Sequence, residues 1–151
     1  MKFVVIALIS LFLINGCIEQ DIEQEVDCGT LVWSSDINVA EIVNTSQYQC
    51  FLQNSKTCQK ARFSMEAGFG EYLSKENYKI LGASSVDGAC EILIEIEKNP
   101  IDYWRGKQMT CDYSSSDLEK YFTSSYTTMD LVEKCEGSLQ KEWLNTNIRI
   151  S

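Results

Sequence analysis

Cys90-Glu91-Ile92-Leu93-Ile94-Glu95-Ile96-Glu97 alternates apolar and mostly acidic side chains with a period of two. Successive strand side chains point to opposite faces. Cys90, Ile92, Ile94 and Ile96 therefore share one face, and Glu91, Leu93, Glu95 and Glu97 the other. The segment reads as an antiparallel strand with one buried face. The same pattern recurs on both sides. Met109, Cys111 and Tyr113 alternate with Gln108, Thr110 and Asp112. Phe63, Met65, Ala67 and Phe69 alternate with Arg62, Ser64, Glu66 and Gly68, and Tyr78, Ile80 and Gly82 with Lys79 and Leu81. Four antiparallel strands are expected, joined by residues 74–77, by Val86-Asp87-Gly88 and by the longer loop 99–106. Asp-Gly between two alternating runs is a hairpin signal.

Helical periodicity flanks this meander. Phe51, Leu52, Ser55 and Cys58 fall on one stripe of a helix expected over residues 46–61, capped by Thr45 or Ser46. Residues 29–44 are ambiguous and show no clean period; Thr30-Leu31-Val32-Trp33 allows a short strand. Ser116-Asp117-Leu118-Glu119 has the form of a capping box. Leu131, Val132, Cys135, Leu139 and Trp143 form a ladder for a helix over residues 130–145, interrupted by Gly137. The expected class is α+β, with helices on one face of an antiparallel sheet. A helix followed by a four-stranded meander resembles the cystatin-like arrangement. The Gln-x-Val-x-Gly loop of inhibitory cystatins is absent, so protease inhibition is not expected.

The 151 residues suffice for one domain. With 13 Lys and Arg against 22 Asp and Glu, the chain is acidic at −9, which argues against nucleic acid as a partner. There is no histidine, so Ser-His and Cys-His nucleophile pairs and His-ligated metals are excluded. No cofactor or metal is expected.

Lys2 and the apolar run 3–14 match the n- and h-regions of a signal peptide, and the run is too short to span a bilayer. Ile14-Asn15-Gly16-Cys17 resembles the lipobox of prokaryotic lipoproteins. The resemblance implies cleavage after residue 16, a lipid on Cys17, and a membrane as the first partner. The chain then divides into a signal peptide (1–16), a lipidated Cys with an acidic tether (17–27) and one α+β domain (28–151). The tether residues 18–27 hold five acids and no base.

Seven cysteines are present, and lipidation of Cys17 leaves an even set: Cys28, Cys50, Cys58, Cys90, Cys111 and Cys135. In an exported chain these read as three disulfides. Cys50 and Cys58, eight residues apart on one expected helix, lie about 12 Å apart and beyond bridging distance. Cys90 and Cys111, on adjacent strands, are the first pairing expected. Cys50 and Cys58 would then each take Cys28 or Cys135. Cys50-Phe51, Cys58, Ala61, Gly88-x-Cys90 and Met109-Thr110-Cys111 also resemble small Cys-rich prokaryotic lipoproteins of no assigned activity. That resemblance implies the disulfide framework and no chemistry.

Two features qualify as candidate sites. Glu91, Glu95 and Glu97 form an acidic strip with the spacing of paired carboxylates, but an open sheet face offers no desolvated acid. In the loop 99–106, Ile101, Tyr103, Trp104 and Arg105 either fold back to complete the core or, as residue types that dominate binding hot spots, form a contact loop. The expected function is non-catalytic: a lipid-anchored extracytoplasmic protein of the cell envelope that binds or assists an envelope partner. The alternatives are a carrier with a cavity between sheet and helices, and a carboxylate-dependent hydrolase.

Overall fold

The computed structural model describes residues 24–33, 39–68, 72–123 and 129–148. Among these, β1 (Val26–Trp33), β2 (Ala61–Ala67), β3 (Ser74–Ala83), β4 (Cys90–Lys98), β5 (Gln108–Tyr113) and β6 (Cys135–Gly137) form one sheet in chain order. β2 to β5 are successive antiparallel neighbours, as alternation requires. β1 lies parallel to β2. A parallel neighbour needs a long crossover, and here it contains α1 (Val39–Ile42) and α2 (Ser46–Ser55). The remaining helices are α3 (Ser115–Thr123), α4 (Met129–Val132) and α5 (Ser138–Ile148).

One face of the sheet holds the core. Phe63, Tyr78, Ile80, Ile92, Ile94, Met109, Cys111 and Tyr113 are buried there, against Tyr48, Phe51 and Leu52 of α2, Leu118 and Phe122 of α3, and Leu131 and Leu139. Rings fill the space between the layers, with Tyr78 and Phe122 at 5.0 Å and Tyr48 and Phe122 edge-on at 5.2 Å. Thr45 caps α2 by accepting the Tyr48 N–H at 3.3 Å. At the start of α3 the box sits two residues earlier than the sequence suggested. Asp117 accepts the Ser114 N–H at 3.0 Å, and the Asp117 N–H donates to the Ser114 hydroxyl at 3.2 Å.

Several expectations need correction. The sheet has six strands, not four, and the added edges β1 and β6 depart from a purely antiparallel, cystatin-like meander. Residues 74–77 are not a connection, because Ser74 to Asn77 pair in register with Ala67 to Ser64. The first convincing helix ends at Ser55, and Cys58 stands beyond it with φ +52. Val26 and Asp27, read as the end of the tether, belong to β1. The expected helix 130–145 is two helices separated by β6. Gly137, at φ +133, makes this break, and a Cβ there would sit 2.6 Å from the Gln108 carbonyl oxygen. Gly137→Ala is expected to destabilise the domain by about 1–3 kcal/mol, read as a lower urea midpoint with an unchanged slope.

The disulfides are Cys28–Cys50, Cys58–Cys90 and Cys111–Cys135. The expected Cys90–Cys111 bond is replaced because the register sets Cys90 against Tyr113 and Cys111 against Ile92. The two cysteines share a face but lie one diagonal step apart. Cys111 instead faces Cys135 across the β5–β6 pair, with Cα atoms 3.9 Å apart. Cys90, at the first position of β4, meets Cys58 in the turn after α2 at 5.2 Å.

Candidate functional site

The loop between β4 and β5 is stiffened by its own backbone. The Gly106 N–H donates to the Ile96 carbonyl at 2.7 Å, and the Ile96 N–H to the Lys107 carbonyl at 2.9 Å. Asp102–Trp104 forms a 3-10 turn, and Gly106 at φ +73 lets the chain return to the sheet. The Asn99 side chain accepts the Ile101 N–H at 2.9 Å. Ile101 and Tyr103 stand 59% and 57% exposed. Trp104 turns inward and packs on the core. Arg105 pairs with Asp102 at 2.9 Å. Lys107 lies 4.2 Å above the Tyr103 ring and 2.9 Å from Glu142 of α5. The four residues singled out from sequence thus divide: Ile101, Tyr103 and Arg105 project, while Trp104 anchors the turn that presents them.

Glu91, Glu95 and Glu97 lie on the face without helices, as the alternation requires. Glu97 accepts from Asn77 at 3.0 Å and from Lys75 at 3.1 Å, and these contacts hold its carboxyl below the usual carboxylate range. A general acid needs the opposite shift. Nearby, a groove of about 340 Å³ is lined by Asp27, Arg62, Ser64, Lys75, Asn77 and Lys79 among others. Two of its cations already hold acids, with Arg62 2.7 Å from Asp27 and Lys75 3.7 Å from Glu66. A second cavity of about 570 Å³ lies beside β6 and the start of α5 and is also largely polar. Neither is the apolar space between sheet and helices that a carrier would use.

Glu76 is the titratable group that the sequence reading placed outside the sheet. It lies on the covered face, accepts a hydrogen bond from the Tyr78 hydroxyl, and interacts with Tyr121 across the same space. Burial pushes its carboxyl above the ordinary value, and the Tyr78 hydrogen bond offsets this only in part. The signal was present: extending the period of two back from Ile80 and Tyr78 reaches Glu76 and Ser74 on the inner face.

Among the described residues, no group of His, Cys, Asp or Glu could hold a metal ion, and no helix is long and apolar enough to cross a membrane. Cys17, the expected signal peptide and most of the expected tether lie outside the described residues. No family model, curated protein or solved structure matches the chain. The three disulfides are compatible with an oxidising, extracytoplasmic location.

Proposed function

We propose that this protein is a lipid-anchored extracytoplasmic domain of the cell envelope, held by Cys17, whose role is to bind a partner rather than to catalyse. The observation that carries the reading is the loop 99–106. It exposes Ile101 and Tyr103 on a turn closed by backbone bonds and pinned to the core by Trp104. A rigid apolar tip lowers the ordering cost of binding. The acidic chain before β1 acts as a spacer between the lipid and the domain.

Two experiments test this. Intact mass of membrane-extracted protein is expected to show loss of residues 1–16, a lipid-sized gain, and no alkylation before reduction. Free thiols without lipid would remove the compartment assignment. A photo-cross-linking residue in place of Tyr103 is expected to give discrete adducts in intact cells, absent when it replaces Val86 at the other end of the sheet. Equal patterns at both positions would sink the contact-loop assignment.

A further inference from the structure

We infer that the end of the sheet bearing the 99–106 loop is a docking rim for a lipid surface, and this rests on the contact-loop reading above. The registers place the C-terminal end of β1, the β2–β3 connection and the β4–β5 loop at one end of the sheet: Trp33 pairs with Ala67, Ala67 with Ser74, Lys75 with Lys98, and Glu95 with Gln108. Large apolar side chains stand exposed along that end. Val32 is 64% exposed, Tyr72 76%, Ile101 59% and Tyr103 57%. They come from three separate segments, and three of the four sit on connections rather than on a flat or concave patch. Apolar tips with Tyr and Ile, backed by Trp and flanked by the ion-paired Arg105 and Lys107, match the chemistry of a bilayer interface better than a protein socket.

Charge at this loop is balanced: Arg105 pairs with Asp102, Lys107 with Glu142, and Lys98 lies beside Glu97. In a chain of formal charge −9, an anionic surface therefore repels this end less than the rest. Anchoring and docking are geometrically compatible. β1 begins at Val26, at the opposite end of the sheet, and its eight residues span about 23 Å. The nine steps from Cys17 to Val26 reach about 30 Å when extended. An anchored domain can thus lay its rim on the bilayer that holds it. The rim adds a second, protein-borne contact to the lipid.

The test uses the full lipidated chain reconstituted in vesicles of phosphatidylcholine and phosphatidylglycerol with brominated acyl chains. Trp33→Phe and Trp143→Phe leave Trp104 as the sole emitter, directly behind the rim. Trp104 emission is expected to be quenched, and Ile101→Asp is expected to relieve the quenching, whereas Val86→Asp leaves it unchanged. The unlipidated Cys17→Ser chain added to the same vesicles should bind about tenfold more weakly when it carries Ile101→Asp. Unquenched Trp104, or quenching indifferent to Ile101→Asp, overturns the lipid assignment. If Tyr103 still gives discrete cellular adducts in that case, the rim contacts protein and the contact-loop reading stands. If it gives none, both fail.

Discussion

Replacing Cys58 and Cys90 together by alanine is expected to lower the melting temperature by about 10–15 °C. The bond closes a loop with a sequence separation of 32, which corresponds to about 3–4 kcal/mol of constraint on the unfolded chain. For a domain of this size each kcal/mol shifts the midpoint by about 3–4 °C. The bond also joins the turn after α2 to the first residue of β4, so it ties the helical layer to the centre of the sheet. Cys58 adds a second effect. Its φ of +52 lies in the left-handed region, where alanine keeps the strain and glycine removes it. Cys58→Gly with Cys90→Ala should therefore melt higher than the double alanine. Thermal melts in non-reducing buffer provide the comparison. An unchanged midpoint would mean that these two cysteines are not partners. Peptide mapping without reduction is expected to recover Cys58 linked to Cys90 and no Cys90–Cys111 peptide.

The second large effect concerns Tyr78. Tyr78→Phe removes the phenol that donates to the Glu76 carboxylate inside the covered face. Loss of a hydrogen bond to a charged, desolvated acceptor costs about 1.5–3 kcal/mol, against about 1 kcal/mol for a neutral one. The cost is therefore expected to grow as pH rises and Glu76 ionises, and to shrink on acidification as it takes up its proton. Glu76→Gln tests the other partner. Burial raises the folded-state value of Glu76 above its unfolded one. The favourable contribution of this group is complete below the unfolded value and is lost as pH rises through the folded one. The glutamine variant is thus expected to stabilise the protein at neutral pH and to lose that advantage on acidification. Urea midpoints at several pH values read this directly. A stability difference that does not vary with pH would refute this account of the inner-face carboxylate. In the Glu76→Gln background, Tyr78→Phe should cost less than it does alone, because the two side chains act on each other.

Much of the architecture is legible along the chain. The strand periods of Cys90–Lys98 and Gln108–Tyr113 survive in the fold because alternation is a local property of the backbone. The Asp87-Gly88 turn is equally local, and Gly88 takes the positive φ of +73 that such turns use. The even set of six cysteines led to three disulfides because pairing arithmetic needs no coordinates. The loop 99–106 stood out because large apolar residues are out of place in a polar turn, but the sequence left open whether they fold back, as Trp104 does, or project, as Ile101 and Tyr103 do.

Other features depend on contacts distant in sequence. The helical ladder from Leu131 to Leu139 is equally well buried when Cys135–Gly137 is a strand, since β5 offers an edge that outweighs one helical turn. Glu76 looked like a loop residue because its β2 and β4 partners lie well away along the chain. Disulfide choice followed register: a two-residue offset between β4 and β5 separated Cys90 from Cys111, and β6 brought Cys135 opposite Cys111. By itself, then, the sequence determined the α+β class, the buried face of each central strand and the number of disulfides, all of which follow from local period, composition and counting. Tertiary structure alone decided the parallel edge β1, the short strand β6, the disulfide partners, the half-buried inner-face position of Glu76 and the gathering of Val32, Tyr72, Ile101 and Tyr103 at one end. Each of these is a relation between segments far apart in the chain, fixed by sheet order and register.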